Sequence, residues 1–195
     1  LKPDNWIQRI NLFPSGRVAD RPLLHAETFA QFYNETHLSV FRYIYGLTGG
    51  PPADVEDLCA ETYLRAWKNR DAYLGEPQQA IGWALRIARN LVIDRYRRAQ
   101  NRLPYAEAGI EDESLPGLTE QHPENLLIGS EQQAQVLNLL RQLSPEQREI
   151  LTLRYLLGWK VQEIGRYLNI PENTVSVYIR RALEKLQSLW PAEKE

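Results

Sequence analysis

The chain has 195 residues, 43% hydrophobic and 25% charged, with a formal net charge of −2 and one cysteine. This composition is ordinary for one or two small globular domains, and it excludes a disulfide framework; no run approaches the roughly 18 uncharged apolar residues of a membrane span. A charge of −2 also argues against unaided DNA binding, because phosphate neutralisation normally supplies most nonspecific affinity.

Residues 1–22 form a polar lead-in with Pro3, Pro14, Gly16 and Pro22 and a small apolar cluster of Trp6, Ile7, Ile10, Leu12 and Phe13. An irregular arm is expected there. The absence of Met from the chain implies that Leu1 is not the translated start. The N-terminus lacks the basic-then-apolar pattern of a signal peptide, so cytoplasmic localisation is expected.

From Glu27 to Leu47, residues Phe29, Phe32, Tyr33, Val40, Phe41, Ile44 and Tyr45 predict a long amphipathic helix that stops at Thr48-Gly49-Gly50-Pro51-Pro52. A second helix follows the prolines. Its inner face is Val55, Leu58, Cys59, Tyr63 and Trp67, while Asp54, Glu56, Asp57 and Glu61 make its leading and outer surface acidic. Cys59 falls on the inner face, as a buried reduced thiol. Without a nearby His, these carboxylates are not expected to hold a metal.

After the Gly75-Glu76-Pro77 break a third helix is predicted from about Gln79 to Asn101, with Ile81, Ala84, Leu85, Ala88, Leu91 and Val92 inward. At about 100° per residue, Trp83, Ile87, Asn90, Asp94 and Arg97 share an arc of about 80° on the other side. Such a stripe can stack on bases and hold phosphates. It also fits Trp83 and Ile87 packed on a neighbouring helix beside solvated arginines, and spacing alone tips toward this second reading. Charge is blocked along the chain. Trp83 to Arg102 holds Arg86, Arg89, Arg95, Arg97, Arg98 and Arg102 against Asp94 alone, whereas Leu103 to Leu140 has seven carboxylates and no Lys or Arg.

Residues 103–129, with Pro104, Gly109, Pro116, Gly117 and Pro123, lack a sustained period and read as an acidic linker. A last unit of four helices is expected from near Ser130. Within it, Ser144-Pro145-Glu146-Gln147 places Ser at an N-cap, Pro at the first helical position and Gln at the third. Val161, Ile164 and Leu168 recur at helical spacing; Asn169-Ile170-Pro171 interrupts, and Val175, Ile179, Ala182 and Leu186 resume the stripe. That order is a helix-turn-helix. Asn173, Ser176, Val177 and Arg180 then point outward near the start of the second helix, as a major-groove reader requires. No alternating apolar stretch suggests a sheet. The fold class is all-α: two small helical domains joined by a flexible acidic linker, the C-terminal one containing a helix-turn-helix.

Three blocks in this order, GGPPADVEDLCAETYLRAWKN, IGWALRIARNLVIDRYRR and LSPEQREILTLRYLLGWKVQEIGRYLNIPENTVSVYIRRALEKLQ, give the chain a resemblance to the sigma-70 family of bacterial transcription initiation factors. It resembles the small extracytoplasmic-function (ECF) group, which keeps only the second and fourth conserved regions. The resemblance implies domains at 23–102 (region 2: polymerase binding, minus-10 recognition and melting) and 130–195 (region 4: minus-35 recognition). Its implied partners are core RNA polymerase, through the beta-prime clamp helices and the beta flap, promoter DNA and an anti-sigma factor. No cofactor, metal, catalytic residue or membrane insertion is implied.

By resemblance, Asp54, Glu56, Asp57 and Glu61 meet the basic clamp helices. The segment from Asp71 to Ala80 and the third helix, with Trp83, Arg86, Asn90, Asp94, Arg97 and Arg98, read and open the minus-10 element. Asn173, Thr174, Ser176, Val177, Arg180 and Arg181 read the minus-35 element, where Asn suits an adenine edge, Arg a guanine and Val a thymine methyl. The two elements lie roughly 17 base pairs, or about 58 Å, apart. A linker of about 27 residues spans roughly 30 Å relaxed and at most about 90 Å extended, so it has to be held stretched. Family likeness implies that it threads the polymerase RNA channel, with Glu107, Glu111, Asp112, Glu113, Glu120 and Glu124 mimicking RNA phosphates.

Some positions depart from the family pattern: Ala60 replaces a usual Gln, Gly165 a usual Ala and Asn169 the usual turn Gly, which Asn can replace in the left-handed conformation. Ser176 and Tyr178 stand where Lys and Arg are common, which weakens the expected phosphate grip. The rival from another class is a stand-alone helix-turn-helix regulator with an N-terminal sensor or dimerisation domain; it has no need of an acidic helix followed by an arginine-rich one. An enzyme finds no support, because His25, His37 and His122 are scattered and no Gly-rich phosphate loop or nucleophile pairing appears.

Overall fold

The computed structural model describes residues 21–76, 79–101 and 138–190, and their regular structure is entirely helical. The expectations for the N-terminal arm through residue 20, for the acidic linker and for residues 130–137 lie outside the described residues.

Helix α1 runs Ala26–Thr48 and buries Phe29, Phe32, Val40, Phe41, Tyr43, Ile44, Gly46 and Leu47. It ends where Gly49 adopts the left-handed conformation at φ 55° and returns its N–H to the Tyr45 carbonyl at 2.8 Å, which satisfies a carbonyl the helix would otherwise leave open. Pro51 and Pro52 then start α2, Pro52–Lys68, with a proline where no intrahelical N–H is needed. The predicted inner face is inside, Trp67 half-buried and Thr62 and Ala66 added to it, and Cys59 is buried with its Sγ donating to the His37 carbonyl at 3.9 Å.

A 3-10 turn, Arg70–Ala72, leads to α3, Ala80–Asn101. Ala80, Ala84 and Ala88, four residues apart and fully buried, give α3 a smooth ridge that lets α1 and α2 approach closely. The three helices pack on one another, with Val40, Ile44, Val55, Tyr63 and Leu85 among the buried side chains between them.

The second unit follows a helical turn at 138–141. Helix α4, Pro145–Leu151, begins with a reciprocal cap: Gln147 N–H donates to Ser144 Oγ and Ser144 N–H to Gln147 Oε1, both at 3.2 Å. It widens into a π turn, Thr152–Leu156. Helix α5, Val161–Leu168, is followed by Asn169 at φ 56° and ψ 47°, the left-handed turn that Asn tolerates, and by α6, Glu172–Leu189. Gly165 has a tertiary reason: a Cβ there would lie 2.9 Å from the Ile170 carbonyl oxygen, so its lack of a side chain keeps the turn tight. Leu143, Leu151 and Ala182 form a small cluster between α4 and α6.

The two units also pack against each other, with Ile150, Leu153, Ile164 and Val175 in the same buried cluster as the core of α1–α3. Arg148 Nη1 donates to the Leu47 carbonyl at 2.8 Å, and Arg141 Nη2 donates to the carbonyl of Gly49. Both arginines cap the C-terminal end of α1, where open carbonyls carry partial negative charge.

Because Ser144 supplies one of two reciprocal bonds at the start of α4, Ser144→Ala is expected to cost about 1 kcal/mol, read as a lower urea midpoint at unchanged slope.

Candidate polymerase and promoter interface

Three surfaces carry the residues singled out from sequence. The first is the acidic start of α2. Asp54 is engaged by Arg95 of α3, and Glu61 accepts from Arg65 Nε at 2.7 Å one turn further on. Glu56 and Asp57 are exposed and hold no ion pair among the described residues. The four carboxylates therefore divide into two that are braced by arginines of the same unit and two that are open to a basic partner. The described residues hold no group of three or more His, Cys, Asp or Glu able to take a metal.

The second surface is α3. Trp83 is half-buried with its ring 5.1 Å from Tyr73, and both Trp83 and Ile87 pack against the core cluster. Packing thus accounts for the aromatic end of the stripe, while Asn90 and Asp94 are half-buried beside it and Arg97 and Arg98 are exposed at its far end. The guanidinium of Arg86 sits over the Tyr167 ring of α5, 5.5 Å from its centre. Tyr73, 2% exposed, donates to the Glu76 carbonyl at 2.6 Å and fixes the loop before α3. Burial, then the charge of Glu76, pushes its phenol up to about 12.

The third surface is α6. Asn173, Ser176, Val177, Arg180 and Arg181 are exposed and Thr174 is half-buried. Several are occupied locally: Asn173 Oδ1 accepts from Thr174 N–H at 2.8 Å, Ser176 Oγ donates to the Glu172 carbonyl at 3.1 Å, and Arg180 pairs with Glu184 at 3.1 Å. Val177 and Arg181 have no such bond among the described residues. Tyr178 is half-buried against the core cluster, so at that position packing takes the place of an exposed cation. Beside this helix Arg154, exposed Tyr155 and Val161 line an open pocket of about 450 Å³ with Ser176, Ile179 and Arg180.

Sequence reasoning missed a polar centre between the two units. Glu149 of α4, 5% exposed, accepts from the Tyr43 hydroxyl of α1 at 2.6 Å and from Arg89 Nε of α3 at 2.9 and 3.0 Å to its two oxygens. The Tyr167 hydroxyl of α5 lies 3.3 Å from that of Tyr43. Burial, and then the neighbouring Tyr167 and Glu149, holds the Tyr43 phenol well above its ordinary pKa. Partial burial pulls Arg89 down, but the charge and hydrogen bonds of Glu149 outweigh it and leave the guanidinium more firmly protonated than usual. The signal available in sequence was a carboxylate set against the apolar run Ile150, Leu151 and Leu153. Next to this centre a cleft of about 620 Å³ opens between Ile93, Tyr96 and Arg97 on one side and Arg141, Pro145 and Arg148 on the other.

Residues 32–102 match the family model for sigma-70 region 2, and residues 133–186 match that for sigma-70 region 4. The chain is 33% identical over 166 residues to the ECF RNA polymerase sigma factor BldN of Streptomyces coelicolor, covering 85% of this chain and 61% of that protein. It is 30% identical over 174 residues to the ECF RNA polymerase sigma factor SigL of Mycobacterium tuberculosis, covering 88% of this chain and 93% of that one. In fold it is similar to the sigma factor RpoE solved with the anti-sigma factor NepR from Bartonella quintana, at a TM-score of 0.66 and 21% identity over 87% of this chain and 100% of the other. It is likewise similar to CnrH in complex with the cytosolic domain of CnrY, at a TM-score of 0.62 and 23% identity over 90% and 99% of the two chains.

Trp83→Ala is expected to destabilise the protein by about 2–4 kcal/mol by emptying the space against Tyr73, whereas Arg97→Ala changes stability by less than about 0.5 kcal/mol; thermal unfolding of the two variants separates packing from surface roles. The Tyr73 phenol also sets an alkaline limit. A pKa raised from 10.0 to about 12 stabilises the fold fully below pH 10, and this contribution is lost as pH rises toward 12. Tyr73→Phe removes that part of the alkaline slope in a pH series of unfolding curves.

Proposed function

The chain belongs to the sigma-70 family, in its extracytoplasmic-function group, and from that premise we propose that it binds core RNA polymerase, directs it to specific promoters and helps to open the DNA. The observation that carries this is the presence of both regions, in order, on one chain of net charge −2. Two nucleic-acid readers without a positive excess need a larger partner to supply the affinity. The chain spans 61% of the length of one curated relative and 93% of another.

In this reading residues 23–102 are the region 2 domain and residues 130–195 the region 4 domain, with the acidic segment 103–129 strapped through polymerase between them. Glu56 and Asp57, open to solvent, make first contact with the basic clamp helices of beta-prime, and Asp54 and Glu61 extend that acidic face. Complementary charge of this kind favours encounter rate and register. Arg97 and Arg98 hold phosphates at the minus-10 element, and Trp83, Arg86, Asn90 and Asp94 border the strand as it opens. On α6, Asn173, Thr174, Ser176, Val177 and Arg180 lie toward base edges and Arg181 toward a phosphate, while region 4 also rests on the beta flap.

The protein acts by binding, not by catalysis, and it works in the cytoplasm, where polymerase and promoters are; no helix among the described residues is long and apolar enough to cross a membrane. An anti-sigma factor is a further partner in this reading. It is supported by the two similar folds, RpoE and CnrH, each solved with another protein bound.

Reconstitution with core polymerase, followed by sequencing of transcript starts, is expected to yield aligned minus-10 and minus-35 elements, with the free protein binding the same promoters weakly. Tight, sequence-specific binding by the free protein at physiological salt would overturn the proposal. Within the holoenzyme, Arg181→Ala should weaken binding to all promoters alike and lower the salt slope by about 1, whereas Asn173→Ala should cost about 1–3 kcal/mol at one base position only.

A further inference from the structure

The cleft beside Glu149 holds about 620 Å³, within the roughly 300–1,000 Å³ of pockets that bury small organic ligands. Its apolar wall is Leu47 of α1 and the Val92, Ile93 and Tyr96 side of α3, with Pro145 of α4 completing it. Leu47 and Val92 belong to the core, whereas Ile93 is 39% and Tyr96 47% exposed. Apolar surface gathered in a concavity and rimmed by charge is what a ligand groove offers.

Four guanidiniums, those of Arg89, Arg97, Arg141 and Arg148, share the cleft with one carboxylate, Glu149. A positive excess between low-dielectric walls concentrates anions. The four are not equally available. Arg148 donates through Nε, Nη1 and Nη2 to the carbonyls of Leu47, Leu140, Arg141 and Leu143. Arg141 gives Nη2 to the Gly49 carbonyl, and Arg89 gives Nε to Glu149. Arg97 is exposed and has no ion pair or side-chain hydrogen bond among the described residues.

One fork is thus wholly uncommitted. A guanidinium takes a carboxylate through two parallel N–H bonds, so Arg97 can hold one anionic head while the other three arginines supply mainly field. A polyphosphate or a nucleic-acid strand needs several open forks and leaves the apolar wall bare. An inorganic anion leaves it bare as well. A neutral apolar molecule would desolvate the arginines without pairing them, which costs free energy. The occupant that these walls fit combines a single anionic head with an apolar body.

We propose that the cleft binds a small amphipathic anion, a carboxylate on an apolar body, with its head at Arg97 and its body along Ile93 and Tyr96. The site goes beyond promoter recognition and does not rest on the sigma-factor reading, because its walls and charges belong to the free chain.

The test titrates the full chain, free of polymerase and DNA, with decanoate in a calorimeter below its micelle-forming concentration. Saturable binding at a single site is expected. Acetate, which has the head without the body, and decyltrimethylammonium, which has the body with the opposite charge, should each bind roughly tenfold or more weakly. Arg97→Gln removes the fork, and Ile93→Ser with Tyr96→Ser removes the exposed wall; each should weaken decanoate roughly tenfold or more with helical content retained. Leu183→Ser, at an exposed apolar residue of α6 that lines the other pocket, should leave decanoate binding unchanged. If the double variant fails to fold, Arg97→Gln decides by itself, because that side chain is exposed. No saturable uptake of decanoate, equal affinity for decyltrimethylammonium, or binding that survives the cleft substitutions overturns the proposal. A synthetic acidic amphipathic peptide that binds at Arg97 where decanoate does not would give the cleft to a protein partner and overturn it equally.

Discussion

A carboxylate that has left water must be met by donors, and the relation between the two halves of this molecule is organised around that need. Glu149 receives a phenol from α1 and a guanidinium from α3, and its own helix α4 contributes Ile150 and Leu151 to the surrounding apolar packing. Removing one partner of such a buried pair costs about 3–5 kcal/mol. Here the cost falls below that, because Arg89 is 42% exposed and water screens part of its charge. Apolar contact between the units is nondirectional and would tolerate sliding. The Nε–H of Arg89, shared between both carboxylate oxygens, and the single phenol of Tyr43 do not tolerate it, so the polar centre sets the register that the apolar seam stabilises.

The same economy of charge runs through α3. Its buried side is built from small and apolar residues, Ala80, Ala84, Leu85, Ala88, Leu91 and Val92, which leaves its arginines for the other faces. Arg95 goes to Asp54 of α2, Arg89 to Glu149 and Arg86 to the face of Tyr167. Arg97 and Arg98 are left to solvent. A helix that looks uniformly basic in sequence is thus divided by its neighbours into cations that brace the fold and cations that face outward. The acidic start of α2 divides in the same way, with Asp54 and Glu61 braced and Glu56 and Asp57 open. In a protein of net charge −2, only part of the charge along α2 and α3 is therefore left exposed, and the Arg95–Asp54 pair joins the two helices between those exposed groups.

Much of the fold was legible residue by residue. The periodic apolar positions placed α1, α2, α3, α5 and α6, Ser144 and Gln147 marked the start of α4, and Asn169 marked the left-handed turn. The candidate residues of α6 were likewise legible as outward-facing. The π turn at Thr152–Leu156 was not. It shifts the helical ladder by a single hydrogen-bond register, and the spacing of Ile150, Leu151, Leu153 and Leu157 fits an uninterrupted α-helix equally well. The roles of Gly46 and Gly165 were not legible either, because in each case what forbids a side chain is an atom supplied by another element, Thr152 for one and the Ile170 carbonyl for the other.

The sequence by itself determined the helices, their caps, the helix-turn-helix and the alternation of basic and acidic blocks, all of which follow from spacing along one chain and from intrinsic backbone preference. Only the tertiary structure decided which charges are spent inside the molecule, that Trp83 packs on Tyr73, and that the two units dock through Glu149. Those outcomes depend on groups as far apart in the chain as Tyr43 and Tyr167, and a pairing between distant residues leaves no periodicity in sequence for local physics to detect.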